Sequence, residues 1–360
     1  MTHPGQSRHI YGLDILRIIS ALAVVFYHFA FRGEAAGELP ALDISDFVKS
    51  IARYGYLGVS LFFIISGFVI AYSAEGQKPL DFLVSRFARI YPTFVILMST
   101  TAVVILLSSN PLFQVSAKQY VANLFIFSKL LGEPLVDGAY WSIVLEVIFY
   151  GWIFIIIALG QFRNLLRIVP FWLALSFLNE FYVGSEHLQN LFITEHSGFF
   201  AMGIVLNWLS RQFSFYAIAL FGVATAYSIY TSLAAIAWGE QAYSVTFSPV
   251  VITIIILLSI IAFLMLMRMN ISKRYWRALS ISGGATYALY LIHQNVGYIA
   301  ITGLLGTMSP FSAITLTVIG LIVFSILYHV VIERQLNPKI KKRLLGLINR
   351  PSRPASGIAT

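Results

Sequence analysis

The chain has 360 residues, 58% of them hydrophobic and 11% charged, with a net charge of +9 and a mean hydropathy of +0.81. A soluble domain carries about 25% charged residues, so there is too little polar surface to wrap a soluble core, and the class is an all-α polytopic membrane protein. The lack of Cys excludes disulfides and thiolate metal sites, and the excess of positive charge is assigned to the membrane surface, with no nucleic-acid partner.

A helix needs about 20 apolar residues to cross the hydrocarbon core. Ten segments qualify, at 13–31, 55–73, 92–109, 139–159, 165–183, 187–208, 214–237, 248–269, 283–305 and 311–332. The N-terminal segment is short and polar, and the first apolar run has no small-residue cleavage site, so an anchor helix is expected there. The stretch 117–131 is shorter and reads as an interfacial or re-entrant helix. No internal repeat of the transporter kind is visible. Ten spans place both termini on one side. The N-terminus, the loops after even-numbered spans and the C-terminal tail hold 18 of the 24 basic residues, Arg8, Arg350 and Arg353 among them. The opposite side holds 5 (Arg32, Lys49, Arg53, Lys118 and Lys129), and Arg17 lies within a span. That bias puts both termini in the cytoplasm. The expected organisation is a transmembrane domain over 1–334 and a basic cytoplasmic tail over 335–360, frayed at its Pro/Ser-rich end.

The first span carries Asp14, Arg17 and His28. Ionisable groups in the bilayer are costly and face the bundle interior. Arg17 and His28 are eleven residues apart, a net rotation of about 20° and a rise of about 16 Å, so they share one face at opposite depths. Asp14 is three residues before Arg17 and can pair with it. Position alone also allows a snorkelling Arg17, a carbonyl-bonded His28 and a helix-start Asp14. In "FLVSRFARIYPTF", Arg86 and Arg89 are at i, i+3 on a cytoplasmic segment that ends at Pro92, and form a guanidinium fork suited to phosphate. Gly55, Gly58, Ser60, Ser66 and Gly67 read as helix-packing positions. Glu146 is about 10 Å inside the fourth span, at a depth where it is expected to meet His28, with Tyr140 and Trp141 at the interface. Weaker candidates are Glu195 and His196, and the Tyr287, Tyr290, His293 triplet on one helix face. His329 and Glu333 read as structural.

The blocks "GLDILRIISALAVVFYH", "GYLGVSLFFIISGFVI", "RFARIYP", "WSIVLEVIFY" and "YALYLIH", in this order, resemble the membrane-bound acyltransferase family 3, whose members modify bacterial glycans and other acceptors. The resemblance covers nearly the whole chain. It implies a catalytic His28, with Asp14 and Glu146 in the catalytic set, and Arg17, Arg86 and Arg89 binding acyl-CoA. Trp141, Ser142, His196, Tyr287, Tyr290 and His293 would line the pocket or the acceptor site. It further implies acyl-CoA, most often acetyl-CoA, as donor substrate, with no bound cofactor and no metal. The partners would be a glycan or glycolipid acceptor and membrane lipids, in the bacterial cytoplasmic membrane. Some members add an SGNH hydrolase-like domain, and a one-domain version is expected here. His28 would act as general base or carry the acyl group transiently. A polysaccharide transporter or flippase would also have about ten helices with buried charges, but its paired broken helices are not evident. A structural polysaccharide-assembly subunit is a third alternative.

The charge bias generates a topology prediction. Reporter fusions after residues 80 and 345 should behave as cytoplasmic, and one after residue 45 as external. An external reporter at residue 80 would overturn the ten-span arrangement.

Overall fold

A computed structural model describes residues 9–348, and every regular element among them is helical. The long helices are α1 (Tyr11–Tyr27), α2 (Leu57–Ser73), α3 (Pro79–Ser108), α4 (Trp141–Ala158) and α5 (Leu165–Leu178). They continue with α6 (Ser197–Leu209), α7 (Phe215–Ala234), α8 (Pro249–Arg268), α9 (Lys273–Ile292), α10 (Pro310–Tyr328) and α11 (Arg334–Ile348). Arg8, Arg350, Arg353 and the Pro/Ser-rich end of the tail lie outside the described residues.

Eight helical stretches are long and apolar enough to cross a membrane. The expected spans at 187–208 and 283–305 are the two that differ. The first is split into Glu186–Phe192 and α6 by Ile193, whose φ of 55° is left-handed and cannot continue a helix. The second is split at His293 between α9 and the short helix Gln294–Leu304. The direction of packing still suits an alternating bundle. Gly12 at the start of α1 meets Leu266 near the end of α8, and Phe31 just past α1 meets Phe247 just before α8, so this pair is antiparallel. Phe63 meets His196, while Gly67 meets Phe200, so α2 and α6 run parallel.

One local expectation is corrected and two regions gain detail. The third span does not begin at Pro92: α3 runs unbroken from Pro79 to Ser108 with Pro92 inside it. Pro removes a helical donor, and in the turn before it two carbonyls take donors from neighbouring helices: Asn337 Nδ2 donates to Arg89 O (3.3 Å) and Tyr287 Oη donates to Ile90 O (3.2 Å). The stretch 117–131 is a short helix, Ala117–Asn123, followed by a 3-10 turn, Ser128–Leu131. The tail is helical through Ile348 and lies against α3, with Lys341 Nζ 3.2 Å from Ser85 Oγ.

Small residues set the closest helix approaches, as expected for packing without a hydrophobic driving force. A Cβ at Gly55 or Gly58 would overlap the carbonyl oxygen of Ala23 or approach that of Ser20 in α1, and one at Gly67 would overlap that of Phe200 in α6. Gly203 in α6 faces Ile64 O in return, so α2 and α6 interlock through two glycines. Gly67→Ala or Gly203→Ala should therefore lower the melting temperature in detergent by several degrees. Gly222→Ala in α7, where a Cβ meets nothing within 4 Å, should not lower it. Equal melting of all three variants would remove the interlock.

Candidate active site

The first polar centre is built where α1 loosens. His28 opens a π turn, His28–Arg32, and single π turns inside α-helices recur at functional sites. His28 Nδ1 is 2.9 Å from Val24 O, and His293 Nδ1 is 2.7 Å from Tyr290 O, so each Nδ1 carries a hydrogen and donates it to a carbonyl. His293 Nε2 is then a lone pair, and it lies 3.2 Å from His28 Nδ1. The His28 Nδ1–H is thus shared between Val24 O and His293 Nε2, and His28 Nε2 is left as a lone pair. This assignment follows from the hydrogen-bond network. Both rings are buried and meet edge to face, with centroids 4.7 Å apart.

His293 sits at the break between α9 and the helix Gln294–Leu304, and a loop holds that break in place. Asp137 accepts hydrogen bonds from Ala139 N (2.9 Å) and Asn295 N (2.9 Å), while Asn295 Nδ2 donates to Val136 O (2.9 Å). One turn earlier, Tyr290 Oη donates to Ala139 O (3.0 Å) and lies 2.6 Å from Ser142 Oγ.

The second polar centre is at the opposite end of α1. Asp14 is buried, and its carboxylate takes Arg17 Nη1 at 3.0 Å, the pairing expected from their spacing, and His9 Nε2 at 2.5 Å. Arg86 and Arg89 come in from α3. Among the described residues neither is ion-paired. Arg86 Nε is buried without a hydrogen-bond partner, and its guanidinium lies over Tyr150, 5.9 Å from the ring centroid. A cavity of ≈ 200 Å³ has Arg17, Arg86 and Arg89 in its wall, continues past Glu146 and Tyr287, and reaches Ser142 and Tyr290. It therefore ends one helical turn short of His293.

Glu146 does not meet His28. Its carboxylate accepts from Ser66 Oγ (3.0 Å) and Tyr150 Oη (2.5 Å), so Ser66, read as a packing position, is a hydrogen-bonding cavity residue. The reason is register. Ser142 is level with Tyr290, Glu146 is four residues from Ser142 toward the arginines, and His293 is three residues from Tyr290 the other way. Those steps put Glu146 and the histidines about 10 Å apart along the bundle, a separation that depths counted from unlevel helix ends could not show. Trp141 and His196 also stand apart from the cavity wall: the His196 ring packs between Phe63 and Trp141, with centroids at 5.2 and 5.3 Å. Conversely, His329 and Glu333 line the cavity beside the arginines. Their i, i+4 spacing was the available signal, and it gained meaning only with Gly283–Gly284 opposite.

The fold and site define a polytopic membrane protein in which an arginine-walled cavity leads toward a buried histidine pair. The acyltransferase domain of family 3 matches residues 10–330, and the chain belongs to that family. The Bacillus subtilis (strain 168) protein named "Putative peptidoglycan O-acetyltransferase YrhL" is 30% identical over 170 residues, 42% of this chain and 24% of the relative. Acyltransferase MdmB of Streptomyces mycarofaciens is 29% identical over 154 residues, 41% of this chain and 39% of the relative. The alignments thus span well under half of either relative. No solved structure matches the chain.

Asp137 gives this site a pH signature. Burial pushes its carboxyl up from the ordinary 3.8 to about 6, against the opposing pull of its two backbone N–H donors. An acid raised in the fold contributes stability that is complete below about 4 and is lost as pH rises through about 6. Between pH 5 and pH 7 the wild type should lose about 1 kcal/mol that an Asp137→Asn variant does not lose. Denaturant unfolding of both proteins at the two pH values checks this, and parallel pH responses would refute it.

Proposed function

We propose that the protein is an integral-membrane O-acyltransferase of the bacterial cytoplasmic membrane. It moves an acyl group, in the first instance acetyl, from cytoplasmic acyl-CoA to a hydroxyl of an extracytoplasmic or membrane-linked glycan. The observation that carries this reading is the cavity: two guanidiniums without ion pairs among the described residues stand at one end, and the other end closes on Tyr290 beside the His28–His293 pair. Guanidiniums bind phosphate through charge-assisted, forked hydrogen bonds, and burial strengthens them. At ≈ 200 Å³ the cavity suits the slender acyl-bearing arm of a donor, with the nucleotide outside at the basic surface. The family supports acyl transfer, and the relatives' names support an acetyl group on oxygen.

In the proposed reaction His28 Nε2 takes the proton of the acceptor hydroxyl as its oxygen attacks the thioester carbonyl. The C–S bond then breaks, and the coenzyme A sulfur leaves with the proton that His28 returns. His293 and Val24 O hold the His28 ring through Nδ1, so that Nε2 keeps its lone pair. Asp14 fixes Arg17, and Ser66 and Tyr150 fix Glu146 beside the donor path.

Purified His28→Gln should fold and bind coenzyme A like the wild type but transfer about 10²–10⁴-fold more slowly. Arg86→Ala should instead weaken coenzyme A binding about tenfold. Unchanged glycan acylation by His28→Gln would sink the assignment of His28. A wild-type burst of one coenzyme A per chain, given donor without acceptor, would turn the base into an acyl carrier.

A further inference from the structure

The cavity has a wall that the reaction above does not use. Beyond α10 the chain makes a π turn, His329–Glu333, that brings two ionisable side chains onto one face. His329 Nδ1 lies 3.0 Å from Glu333 Oε2, so Nδ1–H donates to the carboxylate. The ring's Nε2 and Cε1 edge is turned onto α9 at Gly284, where a Cβ would overlap both atoms. The neighbouring Gly283 admits Asp14 in the same way, since a Cβ there would fall 2.5 Å from Asp14 Cβ. Two successive glycines in α9 thus open one gap for Asp14, which holds Arg17, and a second gap for His329.

Both side chains of the pair are mostly buried, at 13% and 11% exposure, yet both line the cavity with the three arginines. A buried histidine–carboxylate pair gives little net stability over an apolar filling, so its presence in a bundle wall calls for a role. The chemistry of the wall supplies one. Guanidiniums can only donate, whereas the arm that joins the phosphates of coenzyme A to its thioester carries two amide N–H groups and a hydroxyl. Those donors need acceptors along the path. With Nδ1–H committed to Glu333, His329 keeps a lone pair at Nε2, and that edge of the ring lies at Gly284, which lines the cavity one turn from Tyr287.

We infer that His329 is a donor-binding residue whose Nε2 accepts a hydrogen bond from the amide or hydroxyl of the donor's pantetheine arm, with Glu333 fixing its ring. This rests on the acyl-CoA reading above, and the test separates the two. Asn places its amide near the Nδ1 position of His, so His329→Asn keeps the Glu333 contact and loses the Nε2 acceptor. Gln places its amide near Nε2 and restores that acceptor. The full-length protein in neutral-lipid nanodiscs is titrated with coenzyme A and, separately, with adenosine 3′,5′-bisphosphate, which has phosphates but no arm. His329→Asn should weaken coenzyme A about tenfold and leave the bisphosphate within twofold, and His329→Gln should recover part of the loss. Arg86→Ala should weaken both ligands. If His329→Asn does not purify intact, Gly284→Ala, which displaces the ring, should give the same selective loss. Equal losses for the two ligands, or none, would overturn the assignment of His329. Failure of the wild type to bind coenzyme A would instead overturn the donor reading.

Discussion

The bundle depends on the contact between α1 and α9. α1 carries an aspartate, an arginine and a histidine on one face, and hydrocarbon tolerates none of them unpartnered. α9 answers this face differently along its length. At one end it offers no side chain at all, and Gly283 leaves room for the Asp14 carboxylate that holds Arg17. At the other end it offers His293, whose lone pair takes the His28 Nδ1–H. The two helices run in the same direction, so the Asp14–Arg17 end and the histidine end of α1 are each met by the matching end of α9. The remaining helices supply what this pair lacks: α3 adds the second and third arginines, and α4 adds the glutamate and the serine that bonds Tyr290.

What could be read from the sequence was local. Helix class, the Asp14–Arg17 pair and the shared face of Tyr287 and Tyr290 follow from periodicities of 3 and 4 residues within one helix, and the structure shows each of them. What could not be read was register between helices. Counted from helix ends, the sequence places Glu146 and His28 at similar depths, but the ends are not level, and the glutamate falls among the arginines instead. The same limit hid His329 and Glu333. Their pairing is local, but their entry into the cavity depends on two glycines some 45 residues earlier in the chain. The breaks at Ile193 and His293 escaped for another reason: no Gly or Pro stands at either position, and tertiary contacts, such as Asp137 on Asn295, stabilise the second interruption.

The nature of the partner of His28 bears on the proposed reaction. A carboxylate beside its Nδ1 would orient the ring and also attract the proton gained at Nε2, and in an apolar bundle that attraction is strong. His293 orients the ring equally well but carries no negative charge in the arrangement seen. A proton taken from an acceptor hydroxyl is then held only weakly, which suits a base that must give it up again to the departing sulfur within the same turnover. The carboxylates of the site, Asp14, Glu146 and Glu333, are all placed toward the arginine end, where the proposed donor would bind. In the proposed reaction the chain thereby keeps fixed charge where the polyanionic donor would be recognised and a hydrogen-bonded histidine pair where a proton would come and go.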